Sequence, residues 1–325
     1  MIKNKTILIT GGAGFIGSNL VEALLNRNYK VKVLDNFSTG KRENLDFCKD
    51  NPNFELIEGD IRDDNTCFET SKNVDYIFHQ AALGSVPRSI KNPIETTDVN
   101  IGGFVKILTA AKENKVKRFI YAASSSTYGD SIELPKIEER IGKPLSPYAI
   151  TKYANELFAE NFANIYGIET IGLRYFNVFG KRQSPDGAYA AVIPKFAIAL
   201  LKHESPIING DGSFSRDFTH IDNVVSANIL AMETQNPEAI NQVYNVACGE
   251  NINLNQLFST LKTELIKYDS KISDIEPIYG PERTGDVKHS LASIEKISKN
   301  LDYKVLKNFY SGISETAEYY SKLKK

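Results

Sequence analysis

Tryptophan is absent from this 325-residue chain, methionine occurs twice, cysteine three times and histidine four times. Cys48, Cys67 and Cys248 are scattered, odd in number and without metal-ligand spacing. That excludes a disulfide framework or zinc knuckle and reads as reduced thiols. His79, His203, His220 and His289 show no metal-ligand spacing either, so core or surface roles and no metal site are expected. Neither charge sign dominates. With 39 basic against 40 acidic side chains, no polybasic face exists for nucleic acid or anionic lipid. No apolar run approaches the roughly 20 residues of a membrane span. Met1 to Lys5 lead straight into a strand pattern rather than a leader peptide. The expectation is a cytoplasmic enzyme with no nucleic-acid or membrane partner.

What the chain does have is alternation. Thr6–Thr10, Val31–Asp35, Phe54–Ile57, Val74–Phe78 and Phe119–Ala123 read as buried strands. Helical patterns fall over Phe15–Asn26, near 94–114 and over 148–166. Strands alternating with helices predict an α/β fold, a doubly wound parallel sheet covered on both faces. After about residue 180 the rhythm breaks into shorter elements separated by turns such as Asn209-Gly210-Asp211-Gly212 and Gly280-Pro281. The expected organisation is a nucleotide-binding Rossmann domain over 1–180, to which roughly 218–248 return. A smaller substrate-binding α/β domain then occupies most of 181–325, and the lysine-rich end reads as a solvated tail.

Gly11-Gly12-Ala13-Gly14-Phe15-Ile16-Gly17 stands between the first strand and the first helix. In that context Gly11 allows a tight turn, Gly14 lets the backbone approach a pyrophosphate, and Gly17 lets helix and strand pack closely. The helix N-terminus then offers N–H groups to the anion. Asp35 ends the second strand roughly 20 residues on, where a carboxylate binds ribose hydroxyls and repels a 2′-phosphate. NAD is therefore expected over NADP, although Lys41 and Arg42 follow closely. Asp60, after the third strand, is placed to meet the adenine.

Tyr148 and Lys152 lie four apart in a helical stretch and share a face, behind the hydroxyls of Ser124, Ser125 and Ser126. A tyrosine titrates near 10, so making it a base at neutral pH takes about three units, or roughly 4 kcal/mol favouring the phenolate. A lysine ammonium and a cationic nicotinamide are the charges that could supply it.

With these residues in place, essentially the whole chain resembles the extended short-chain dehydrogenase/reductase family and, within it, the nucleotide-sugar 4-epimerases. It looks most like the UDP-N-acetylglucosamine 4-epimerases of bacterial surface polysaccharide biosynthesis. The resemblance is carried by GGAGFIG (11–17), HQAALGSVPRS (79–89), YAASSSTYGD (121–130), KPLSPYAITK (143–152), GLRYFNVFGKRQ (172–183), GAYAAVIP (187–194), INGDGSFSRDF (208–218) and ERTGDVKHS (282–290).

It implies a tightly bound NAD cofactor and epimerisation through a transient 4-keto sugar. Tyr148, as phenolate, would take the O4 proton while hydride leaves C4; Lys152 would hold the nicotinamide ribose and lower the tyrosine's pKa. Ser124 would hydrogen-bond O4, with Ser125 and Ser126 as alternatives. The implied cofactor contacts extend to Phe15, Ile16, Asn36, Ser38, Thr39, Gly40, Ile61, Gln80, Ala81, Ala82, Tyr175 and Val178. For the nucleotide sugar the resemblance implies Gly84 and Ser85 at the hexose, and Asn177 at the phosphates or hexose. Tyr189 also belongs to that set, with Arg216 and Arg283 at the diphosphate and Asp286 beside Arg283.

Dehydratases carry an acid–base carboxylate pair where Ser125 and Ser126 stand here, so dehydration is disfavoured; a decarboxylase acting on a uronic acid stays open. Related glucose/galactose epimerases carry a bulky tyrosine at the place of Ser290, which blocks a 2-acetamido group. The serine leaves room, so UDP-N-acetylglucosamine and UDP-N-acetylgalactosamine are the expected substrates. UDP-N-acetylglucosaminuronic acid and UDP-glucose are the alternatives, and a non-catalytic NAD-binding regulator is the alternative of a different class. A homodimer packed through the helices near 94–114 and 148–166 is also implied.

Overall fold

The computed structural model describes residues 5–185, 190–282 and 288–323. The strands are β1 (Thr6–Thr10), β2 (Lys30–Asp35), β3 (Phe54–Glu58), β4 (Tyr76–His79), β5 (Arg118–Ser124) and β6 (Glu169–Tyr175). Short strands follow: β7 (Val178–Phe179), β8 (Ile207–Asn209), β9 (Ser215–Arg216) and β10 (Thr219–His220). They precede β11 (Gln242–Val246), β12 (Ile252–Asn253) and β13 (Ile278–Gly280). Seven of these form one sheet in the order β11-β6-β5-β4-β1-β2-β3, every pairing parallel. The order reverses between β1 and β4, and the crevice beyond their C-terminal ends is where such sheets hold ligands. This is the doubly wound Rossmann-like arrangement expected from the alternation.

The helices are α1 (Phe15–Leu25), α2 (Asp64–Thr70), α3 (Val86–Lys91), α4 (Pro93–Thr97), α5 (Phe104–Glu113) and α6 (Pro147–Tyr166). After them come α7 (Val192–Leu201), α8 (Ile221–Glu233), α9 (Leu254–Ile266), α10 (Glu295–Leu301) and α11 (Phe309–Leu323). Because side chains alternate across a strand, Ile7 and Ile9 of β1 face one layer, with Leu20, Leu24 and Val224. Leu8 faces the other, with Phe104, Leu108 and Phe162. Both faces are covered, which is why these strands read as unbroken apolar runs. A separate core joins α7, α9 and α11 through Phe196, Leu257, Leu261, Ile313 and Tyr320. The chain comes back to the sheet late, with α8 packed on it and β11 paired to β6.

Three local readings need correcting. The strand around 74–78 starts at Tyr76 and ends at His79, because the Asp75 carboxylate caps the Thr6 N–H at 2.9 Å and pairs with Lys5. The helix around 94–114 is interrupted by a π-helical turn, Asp98–Gly103, before α5 begins. The C-terminal stretch is no tail as far as Leu323, since α11 buries Phe309, Ile313, Ala317 and Tyr320. Among the described residues no helix is long and apolar enough to cross a membrane.

Candidate active site

At the end of β1 the backbone turns through Gly11 at φ +70°, and a Cβ there would lie 2.7 Å from the Ala81 nitrogen. At Gly17 a Cβ would lie 2.2 Å from the Gly11 carbonyl oxygen, so helix and turn can pack only around a hydrogen. Gly14 starts α1 without any side-chain cap, leaving the first-turn N–H groups of Phe15 and Ile16 to an outside acceptor. These residues line a cavity of about 750 Å³ over the C-terminal edge of the sheet. The Asp35 carboxylate, buried at the end of β2, accepts the Ala13 and Phe37 N–H groups at 2.8 Å each. Burial pushes its pKa up, and those two N–H bonds pull the other way. Lys41 pairs with Glu43, and Arg42 with Glu58 while lying over the Phe37 ring. The turn, the uncapped helix start and Asp35 fit a dinucleotide pyrophosphate and an unphosphorylated ribose.

The chemical corner is set by the start of α6. Ser146 accepts the Ala149 N–H at 3.1 Å and Pro147 occupies the first turn, a strong helix start. Tyr148 and Lys152 therefore sit one turn apart and both line the cavity. Lys152 is 2 % exposed, and its Nζ donates to the Ala122 carbonyl at 2.7 Å. Burial lowers its pKa to about 8, with the negative charge of Glu156 opposing. Nζ lies 6.0 Å from the centre of the Tyr148 ring. The Tyr148 phenol is pushed above its usual value by burial, and the hydrogen bond with Ser124 works against that. Among the protein's own groups burial outweighs that hydrogen bond. Ser124, the last residue of β5, accepts the Ser126 N–H at 3.1 Å, and the two hydroxyls are 2.9 Å apart. His79 is buried behind this corner, bonded to Thr10 and held neutral, its pKa pushed down to about 3 by burial and by Lys152.

The cavity gathers most of the sequence-predicted residues, from Gly11, Asp35 and the 36–40 segment through Gln80–Ala82, Gly84 and Ser85 to Ser124, Ser125, Tyr175, Asn177 and Val178. Asp60 lies off its wall: it bonds Asn36 and the Arg62 fork, which hold its pKa down at about 2, while Gly59 and Ile61 line the cavity. Ser126 is turned to Ser124. Arg216 directs a guanidinium nitrogen to the Ser215 and Lys288 carbonyls, and Ser290 donates its N–H to the Ser215 carbonyl, half-buried and off the wall. Tyr189, Arg283 and Asp286 lie outside the described residues.

Sequence reasoning missed Asn100. Buried in the π-helical turn, it accepts the Leu83 N–H at 2.8 Å and donates to Thr151 Oγ1 at 3.1 Å. It thereby holds the loop bearing Gly84 and Ser85 against α6; an asparagine between Val99 and Ile101 is the available signal. Arg182, within GLRYFNVFGKRQ (172–183), also lines the cavity, pairs with Glu22 and lies over Phe47. At the start of α8, His220, Asp222 and Glu315 bring ligand atoms within 4.8 Å of one another, a grouping the histidine spacing hides. The Lys307 ammonium pairs with both carboxylates there.

Comparison with known proteins adds names to this geometry. The model of a family described as NAD dependent epimerase/dehydratase matches residues 7–247. A solved UDP-N-acetylglucosamine 4-epimerase from Methanobrevibacter ruminantium, in complex with UDP-N-acetylmuramic acid, is 40 % identical with a TM-score of 0.92, covering 99 % of this chain and 100 % of that one. A UDP-glucose 4-epimerase from Thermotoga maritima, solved with UDP-glucose, is 37 % identical with a TM-score of 0.90, covering 98 % and 100 %. A putative UDP-glucose 4-epimerase of Methanocaldococcus jannaschii is 36 % identical over 315 residues, 96 % of this chain and 97 % of its own.

Proposed function

Given that the chain belongs to the NAD-dependent epimerase/dehydratase family and acts within it as a nucleotide-sugar 4-epimerase, we propose that it interconverts UDP-N-acetylglucosamine and UDP-N-acetylgalactosamine. The observation that carries epimerisation is the acid inventory of the cavity. Among the described lining residues Asp35 is the only carboxylate, and it is tied to backbone N–H groups at the cofactor end. Beside Tyr148 the cavity is lined by Ser124 and Ser125, with Ser126 bonded to Ser124, and none of these hydroxyls can remove a carbon-bound proton as dehydration requires.

Gly11, Gly14, Gly17 and Asp35 would hold NAD, which when bound would supply the hydride acceptor and donor for C4 and a positive ring favouring a phenolate. Tyr148 takes the O4 proton and later gives it back. Ser124 donates a hydrogen bond to O4, and Lys152, anchored on Ala122, holds its ammonium beneath the phenol. Since burial alone raises the tyrosine's pKa, this scheme makes the phenolate a property of the cofactor-loaded site.

For the sugar, the support is the resemblance at Ser290, a small side chain beside the Ser215–Arg216 strand rather than on the described cavity wall, and the N-acetylated nucleotide sugar held by the Methanobrevibacter relative. Arg216, Arg283, Asp286, Tyr189 and Asn177 are assigned to the nucleotide sugar on the same reading. We assign 1–180, with the return through α8 and β11, to cofactor binding and most of 181–325 to the sugar nucleotide. Ile94, Ile150, Leu157, Phe158 and Ile165 form exposed apolar positions on α4 and α6, which suit a homodimer. Sedimentation at two concentrations tests it. Buried free thiols suit a reducing cytoplasm, where the product would feed polysaccharide assembly.

The test is a parallel assay of purified protein on UDP-N-acetylglucosamine, UDP-glucose and UDP-N-acetylglucosaminuronic acid. The acetylated neutral sugar should give the highest kcat/KM; preference for either rival overturns the assignment. Bound NAD with no conversion of any sugar would favour the non-catalytic reading.

A further inference from the structure

Beneath the chemical corner lies an ion pair that the reaction scheme leaves unused. Glu156 stands one turn beyond Lys152 on α6 and so on the same face of the helix. Its side chain is 6 % exposed and that of Arg174, on β6, 4 %. The guanidinium fork takes both carboxylate oxygens, Nε to Oε1 at 2.9 Å and a terminal nitrogen to Oε2 at 2.7 Å. The other terminal nitrogen donates to the Glu138 carbonyl at 3.0 Å, and the guanidinium carbon lies 4.9 Å from the centre of the Tyr128 ring. Tyr128 closes the turn that follows Ser124 and donates to Asn245 at 2.6 Å. Thr127, in the same turn, directs its hydroxyl to Glu156 Oε1 at 3.4 Å. One carboxylate thus links the helix bearing Tyr148 and Lys152, the serine turn, and the strand ending in the cavity-lining Tyr175.

A buried ion pair is seldom the cheapest way to fill a core, and a well-packed apolar pair often does as well. The local charge balance gives it a use. Lys152 touches a carbonyl and, among the described residues, no carboxylate within ion-pair distance; burial works against its charge and Glu156 favours it. The other groups around this corner are His79 from β4, held neutral, Tyr121 from β5, Tyr128 from the turn, and Tyr148 itself, with Arg174 on the far side of Glu156.

We propose that Glu156, clamped by Arg174, is a positioning residue that keeps the Lys152 ammonium charged and seated beneath Tyr148 while tying the serine turn to the catalytic helix. This rests on the roles given above to Tyr148 and Lys152.

The test uses full-length Glu156→Gln with two readouts. The first is the Lys152 titration followed by NMR in lysine-labelled protein, its signal assigned with Lys152→Met. The second is the pH profile of kcat and kcat/KM on UDP-N-acetylglucosamine. Removing the anion should lower the Lys152 midpoint by about one pH unit. The alkaline limb of the profile should then move to lower pH, with kcat down about tenfold and KM within about threefold. An unchanged Lys152 midpoint overturns the proposal. Since the single variant strands Arg174 and can unfold the protein, Glu156→Gln/Arg174→Gln removes both charges. Recovered stability with the midpoint and limb still displaced supports the positioning role; recovery of all three to wild type shows that the pair serves the fold alone. If wild-type protein turns over no nucleotide sugar, the functional reading fails, and the NMR titration still decides whether Glu156 and Lys152 are coupled.

Discussion

At the cofactor end the cavity is built from backbone: Gly11 at positive φ, the uncapped start of α1, and a carboxylate, Asp35, fastened by two N–H groups. At the sugar end it is built from side chains, with Tyr148, Lys152 and Ser124 delivered by a helix and a strand end, and Asn177 at φ +33° just beyond β6. At the backbone-built end a Cβ on Gly11 or Gly17 would lie 2.7 or 2.2 Å from backbone atoms, so those positions tolerate few residue types. On the proposed reading, the bulk at residue 290 sets which sugar fits while Tyr148, Lys152 and Ser124 keep their places. A single fold can therefore keep its cofactor and vary its substrate.

Substitutions at the two ends should break in different ways. The largest effect belongs to Tyr148→Phe, which removes the acid–base hydroxyl but leaves the phosphate cradle. Turnover should fall by about 10³-fold while the NAD content of the purified protein stays at the wild-type level. Unchanged turnover would remove Tyr148 from its role. Ser290→Tyr should act on one sugar class only, cutting kcat/KM for UDP-N-acetylglucosamine about 100-fold, because the phenol would take the room the 2-acetamido group needs, and sparing UDP-glucose. Full activity on the acetylated sugar would show that residue 290 is no gatekeeper.

The glycines give the sharpest pairing. Gly11→Ala places a Cβ against the Ala81 backbone at a left-handed φ and should cost about 2–3 kcal/mol with loss of NAD. Gly84→Ala meets nothing within 4 Å and should leave the melting temperature and NAD content unchanged. Equal effects of the two, measured by thermal melts and NAD content, would erase the contrast. Of the substitutions expected to have an effect, the mildest is Asp35→Asn, which keeps the shape but weakens the charged acceptor of Ala13 and Phe37. NAD affinity should drop about tenfold by calorimetry.

The same contrast explains what the sequence could tell. The glycine spacing and Asp35 are legible because backbone geometry restricts residue type locally, and the parallel sheet is legible because strands buried on both faces become apolar runs. Tyr148 and Lys152 are legible from helical spacing, but Ser124 only through resemblance, since a strand-end serine has many ordinary uses. Asn100 and the Glu156–Arg174 pair stay hidden because each works through long-range contacts, Leu83 with Thr151 in one case and β6 in the other. The π-helical turn is likewise invisible in a pattern that reads as one helix from 94 to 114.

The most direct measurement of the central claim uses UDP-N-acetylglucosamine deuterated at C4, incubated with the purified protein in ordinary water and followed by NMR and mass spectrometry. If hydride leaves C4 and returns to the same carbon while Tyr148 handles only the O4 proton, UDP-N-acetylgalactosamine should form with the deuterium still at C4. Loss of the label to solvent, or no galacto product from NAD-loaded protein, would contradict it.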